Sequence, residues 1–284
     1  MSYLQQAKKA HPTAPIITIV GFPGTGKTTL GGLFPSSIFI QAENASTVFE
    51  TMPVDQQPTF MPPLTRSDKK RGVKTSDVIR DQLRELVTVE HPFKTVVFDS
   101  VTALNDLFEH EVVEYDNKNA DSIGNAAGGY HKGYDVVASM HAEVRRYCEH
   151  LRLKGMAVIF LSHTGIVKMK NRPDETSEYT AFSLGMNEKS RSVYVKYSDA
   201  VLYLKSQQII TGGEENRKGQ TVKAARVMTT GDRILITSSD GTVGYIDAKN
   251  RYDGMPQEIP VEPGQNPIMQ YVPFYNQSTA KQEQ

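Results

Sequence analysis

Tryptophan is absent from the 284 residues, and cysteine occurs once, as Cys148. A single thiol leaves no intramolecular disulfide framework, which excludes a stapled secreted scaffold and points to a reducing compartment. Net charge is missing too: Lys and Arg together number 32, and so do Asp and Glu. No global field draws such a chain to nucleic acid or to a membrane, so any polyanion contact must come from local segments. No apolar run approaches the roughly 20 residues of a membrane span, and the opening MSYLQQAKK has no signal-peptide core. A cytoplasmic protein with no membrane partner is the expectation. The length suits one elaborated domain: an N-terminal arm over 1–13, a core over 14–261, and a Pro- and Gln-rich tail over 262–284 expected to be disordered.

What is present is concentrated first in GFPGTGKTT, Gly21 to Thr29, which follows the apolar run Ile16 to Val20 and precedes Leu30. The order is strand, glycine-rich loop, helix, and the spacing is that of a P-loop. Gly21, Gly24 and Gly26 let backbone N–H groups turn inward on a phosphate chain, with Phe22, Pro23, Thr25 and Thr29 completing the loop. Lys27 is placed for the β- and γ-phosphates and the Thr28 hydroxyl for Mg2+. The chain is therefore expected to bind a nucleoside triphosphate, taken as ATP, with Mg2+.

Three further apolar runs end in polar residues, as parallel strands do where they deliver side chains to a ligand. Ser37 to Gln41 leads to Glu43, a candidate for orienting or deprotonating the attacking water, and equally a charge for a helix starting near Asn44. Thr95 to Phe98 delivers Asp99, the metal partner that a P-loop site requires. Gly155 to Leu161 leads to Ser162 and His163, candidate sensors of the γ-phosphate.

Between these runs lie segments with another character. Residues 52–75 carry four prolines and the basic cluster Arg66, Lys69, Lys70, Arg71 and Lys74, and read as a surface loop before a covering helix over 76–90, with Ser76 or Asp77 as its cap. Asn117 to Tyr134 is too long for a simple connector, and Tyr130, His131, Lys132 and Tyr134 offer stacking faces and charge for unpaired bases. Residues 165–190 form a second long, partly basic stretch in which Lys168, Lys170 and Arg172 suit a polymer. Cys148 falls on the apolar face of a helix opened by Asp135 and reads as core packing. From Ser192 the pattern changes to short β segments, 193–196, 201–205, 208–210, 222–228, 233–237 and 243–246, with turns at Gly212-Gly213 and Asp240-Gly241.

IFIQAEN with Glu43, TVVFDSVTAL with Asp99, and VIFLSHT with His163 resemble the successive core motifs of RecA-type ATPases over roughly residues 14–250. The chain looks most like the short, core-only members encoded by bacteriophages that act in recombination or single-strand annealing. The resemblance implies an α/β fold: a RecA-like P-loop NTPase with a mostly parallel central sheet flanked by helices and an antiparallel β extension on the C-terminal side. It implies that Glu43 is the catalytic glutamate and that ATP, bound between subunits of a filament or ring, is hydrolysed on single-stranded DNA. It places the two long segments as DNA-binding loops, and makes Lys249 and Arg251 similar to a Lys-x-Arg pair inserted into a neighbouring subunit's site. His163 stands where RecA carries glutamine. A single-strand-binding protein is a further partner that this reading allows, and a bacterial host cell the location. Two other classes stay open: a KaiC-like oligomeric switch that binds protein in place of DNA, and a small-molecule kinase, against which Glu43 and the β-rich last third both speak.

Overall fold

The structure, a computed structural model, describes residues 11–169, 179–211, 214–215, 221–223, 226–239 and 246–280. The strands are β1 (Ile16–Gly21), β2 (Ser37–Gln41), β3 (Thr59–Phe60), β4 (Thr95–Asp99), β5 (Ala157–Met169), β6 (Tyr179–Leu184), β7 (Ala200–Thr211), β8 (Glu214–Glu215), β9 (Thr221–Lys223), β10 (Arg226–Ile236), β11 (Lys249–Asn250) and β12 (Glu258–Val261). Ten of them form one sheet in the order β12-β10-β7-β1-β5-β4-β2-β3, with β11 on β7 and β6 on β5. From β7 through β1 to β3 the neighbours run parallel; β10, β12, β11 and β6 pair antiparallel. This is the mostly parallel sheet with an antiparallel C-terminal side that the sequence leads one to expect.

Every residue of IITIVG is buried because both faces of the sheet are covered. Side chains alternate between the two covers, as a strand repeat of two demands. Ile16, Val20, Val96, Phe98, Val158 and Phe160 enter one core cluster, and Ile17, Ile19, Val97, Ile159 and Leu161 enter the other. The first cluster is roofed by α2 (Thr75–Thr88), α3 (Val101–Glu114), α4 (Lys132–Leu153) and α5 (Glu188–Tyr197), the second by α1 (Lys27–Gly32) and, from the end of the chain, α6 (Ile268–Tyr271) and α7 (Pro273–Ala280). The parallel strands end on one edge: Gly21 is level with His163, and Gln41 with Asp99.

Four sequence expectations are corrected. Residues 193–196 are not a strand but the last turns of α5, whose cap is the Asn187 side chain accepting from Lys189 N. The helix over 75–88 starts before Ser76, and its exposed N–H is met by a carboxylate from another element: Ser76 N donates to Glu111 Oε2 at 2.9 Å. The 262–284 tail is ordered over 262–280, where Ile268 and Val272 are buried in the second cluster and Tyr275 packs on Phe34. The segments at 201–205 and 208–210 are one strand, β7. The turns at Gly212-Gly213 and Asp240-Gly241, and most of 243–246, fall outside the described residues, as do residues 1–10 of the arm.

Under α4 a buried polar contact carries a pH dependence. His141 has no exposed surface; its Nδ1 lies 2.6 Å from Tyr194 Oη and its Nε2 3.2 Å from Asn105 Oδ1. Burial pushes its pKa down to about 3. Between that value and its ordinary one, about 6.5, the unfolded chain binds a proton that the folded chain refuses. Stability from this group is thus complete above pH 6.5 and is lost as pH falls, by about 1.4 kcal/mol per pH unit. Urea unfolding at pH 7 and pH 5 checks this: His141→Gln should shrink the difference between the two pH values by about 2 kcal/mol. An unchanged difference contradicts it. Cys148 lies fully buried on the same helix, its thiol pKa pushed up by burial, as a packing role requires.

Candidate active site

The loop after β1 turns on Gly24 and Gly26, whose φ angles of 78° and 93° lie in the left-handed region that a side chain resists. The Thr25 hydroxyl closes the turn by donating to Phe22 O at 2.9 Å, and Leu30 N donates to Gly26 O at 2.9 Å as α1 begins. Lys27, only 5 % exposed, folds back to donate to Gly21 O and Phe22 O, both at 3.0 Å. Burial lowers its pKa, and the nearby Asp99 and Glu43 charges act against that.

A cleft opens over this loop, lined by Pro23, Gly24, Gly26 to Thr29, Glu43, Asn44, Ala45, Val48, Asp99, His163 and Arg233, with a volume of about 340 Å3. Such a space suits a small ligand. Its wall combines loop backbone, one buried lysine and two carboxylates, which is a polyphosphate and hard-cation chemistry. Asp99, 3 % exposed, accepts the Thr28 hydroxyl at 2.7 Å. Desolvation raises the Asp99 pKa, and the Thr28 hydrogen bond opposes it. A hydroxyl and a buried carboxylate held face to face beside the phosphate loop are the donor set Mg2+ takes when phosphate oxygens complete its shell. Among the described residues no group of three or more His, Cys, Asp or Glu could hold a metal unaided.

Glu43 and His163 meet across the cleft. His163 Nε2 lies 3.1 Å from Glu43 Oε1, and its Nδ1 lies 3.4 Å from Lys27 Nζ. Because an ammonium only donates and a carboxylate only accepts, the tautomer satisfying both contacts carries its proton on Nε2. That hydrogen bond is the main cause of the lowered Glu43 pKa, with burial opposing it. Behind the ring, His163 N donates to the Thr102 hydroxyl oxygen at 2.8 Å, fixing the start of α3 to β5.

Other sequence candidates lie elsewhere. Ser162 is fully buried within the sheet, donates to the His163 carbonyl at 3.1 Å, and does not line the cleft. Phe22 turns its ring outward against the edge of Phe182, 5.7 Å away, leaving only its carbonyl to the site. Tyr130, His131, Lys132 and Tyr134 stand at the start of α4, outside the cleft; Tyr130 is 93 % exposed, and the His131 and Tyr134 rings stack at 6.0 Å. The segment before them is no open loop, since the Asp116 carboxylate accepts from Lys118, Ala120 and Ala127 N–H groups. Of the stretch after His163, residues 164–169 and 179–184 are strand: β5 runs on to Met169 and pairs with β6, placing Lys168 on an exposed hairpin, while Lys170 and Arg172 lie outside the described residues. Lys249 and Arg251 sit beside the start of β7, at the opposite edge of the sheet from the phosphate loop of their own chain; Lys249 donates to Lys196 O at 3.2 Å, and Arg251 lies 3.8 Å from Asp199.

Sequence reading missed Asn44, Ala45, Val48 and Arg233 of the cleft, and Arg233 is the charged one among them. It comes from β10, two strands from β1, and sits directly on Gly26. No local motif marks such a contact, which depends on the register of β10 on β7.

Comparison with known proteins gives a family and no narrower activity. No curated protein matches the chain. Among solved structures, a KaiC-like protein from the hyperthermophilic archaeon Pyrococcus horikoshii aligns over 90% of this chain and 89% of its own, with 13% sequence identity and a TM-score of 0.42. The family described as AAA domain matches residues 13–252. That span holds the phosphate loop, both cleft carboxylates, His163 and Arg233, and the chain belongs to this family of P-loop ATPases.

Proposed function

We propose that the protein hydrolyses Mg-ATP and couples its nucleotide state to binding of single-stranded DNA, as an oligomeric recombination or annealing ATPase. The observation that carries the coupling is the course of β5, which passes without a break from His163, in contact with Glu43 and Lys27, to Lys168 on the exposed β5–β6 hairpin. In this reading Lys27 exchanges its two loop carbonyls for the β- and γ-phosphates. Thr28 and Asp99 would hold the cation, which supplies charge neutralisation of the phosphates. Glu43, kept ionised by its histidine partner, orients water in line with the γ-phosphate. Loss of the γ-phosphate alters what Lys27 and Glu43 offer His163, and the strand carries the change to the hairpin. From the far edge of the sheet, Lys249 and Arg251 serve the site of a neighbouring copy.

Fluorescence anisotropy with labelled single-stranded DNA tests the coupling. A slowly hydrolysed ATP analogue is expected to tighten binding, and Lys168→Ala to weaken it at low salt while reducing the slope of log affinity against log salt by about 0.7. Identical binding with and without nucleotide rejects the coupling. A second reading, a switch that binds protein, draws support from the balanced charge and from Ile166, 72% exposed on the same hairpin. It predicts an ATPase rate indifferent to DNA.

A further inference from the structure

The phosphate loop carries a cation from its own chain besides Lys27. A methyl group built on Gly26 would lie 2.5 Å from Arg233 Nη1 and 2.8 Å from Cζ, so the guanidinium rests on the bend of the loop. Its strand is shaped for this. The register of β10 on β7 shifts between Thr229 and Arg233, where Gly231 takes φ 89° and Asp232 N donates to the Thr230 hydroxyl oxygen at 3.2 Å. A bulge of this kind re-aims the side chain that follows it. Among the described residues the guanidinium forms no ion pair or hydrogen bond. Five donors in a planar fork are thus held at a phosphate cleft with no acceptor among the described residues.

The sheet order fixes which part of a nucleotide this fork meets. Groups suited to the γ-phosphate and its water, Glu43, Asp99 and His163, stand at the ends of β2, β4 and β5, on one side of β1. Arg233 enters from β10, on the other side. A triphosphate laid with its γ end against Glu43 and His163 brings its α and β end under Arg233. We propose that Arg233 is a binding residue for the α,β-diphosphate portion of the nucleotide, acting within its own chain. Arginine suits the task because its fork matches two phosphate oxygens at once. This rests on the ATP-site reading and adds a consequence: the contact survives hydrolysis, so Arg233 grips ADP as well as ATP.

Titration calorimetry with ADP and with a slowly hydrolysed ATP analogue, both with Mg2+, tests it on the whole chain. Arg233→Ala is expected to weaken both ligands by about ten- to hundredfold, and in steady state the loss falls on KM more than on kcat. Arg233→Lys, which keeps charge and stem but not the fork, should fall between the two. Thermal unfolding of each ligand-free variant confirms that it is folded, and should Arg233→Ala not be, the Lys variant decides. Wild-type ADP affinity in both variants overturns the proposal. ADP affinity kept while turnover drops also overturns it and moves the guanidinium to the γ-phosphate. If the wild-type chain binds neither ligand, the ATP-site reading falls first and this one with it.

Discussion

Glu43→Gln is expected to bind ATP about as well as the wild-type chain and to hydrolyse it about a hundred to ten thousand times more slowly, the usual worth of a positioned base. Glutamine keeps the length of the side chain and can still accept the His163 Nε2 proton over the present 3.1 Å. What it loses is the charge that draws water into line and the capacity to take a proton. Burial opposes ionisation of Glu43, but the histidine contact outweighs it, so the wild-type side chain is already ionised when substrate arrives. Single-turnover phosphate release beside equilibrium nucleotide binding separates the two effects. Hydrolysis at the wild-type rate removes Glu43 from the reaction.

Lys27→Ala should lose turnover altogether and bind ATP about ten- to hundredfold more weakly, because a charge-assisted phosphate contact inside a half-closed cleft disappears. The same substitution is expected not to lower the stability of the ligand-free chain. Burial drives the Lys27 pKa down, which means that the folded protein holds this ammonium at a cost offset only in part by Asp99 and Glu43. A site that spends stability on function has this signature. Thermal unfolding without nucleotide reads the second effect, and a large fall in melting temperature would make Lys27 structural.

Local sequence discloses what lies at the end of a buried strand. Asp99, Glu43 and His163 each lie at or just past the end of a run of mostly apolar residues, and such runs must be covered on both faces, which sends their polar ends to the sheet edge. Contacts set by several strands or by a distant helix are not disclosed in this way. Val193, Tyr194 and Val195 favour a strand by side-chain type, yet Asn187 caps a helix that carries Val193 and Tyr194 into the core. The tail is rich in glutamine, but Ile268, Val272 and Tyr275 recur at helical spacing, and that signal outweighs composition once there is an uncovered sheet face to meet. Arg233 is invisible for the same reason: only its register against β7, shifted by the bulge, brings it to Gly26.

Lys249 and Arg251 show how far a resemblance reaches. Their place beside the start of β7 removes them from the phosphate loop of their own chain, so the role that the resemblance gives them belongs to the proposed function, in the site of a neighbouring copy. Arg233 adds a cation at the loop of its own chain, and at the α,β-phosphate end it does not take over the role that the resemblance gives Lys249 and Arg251.

The most direct test is the rate of phosphate release from Mg-ATP by the purified chain, with and without single-stranded DNA, at low and moderate salt and beside Lys27→Ala. The account predicts release that depends on Mg2+ and Lys27, rises with DNA, and loses that rise as salt competes for the phosphate contacts. Equal rates with and without DNA at both salt concentrations would contradict the coupling, and equal rates for wild type and Lys27→Ala would contradict the site itself.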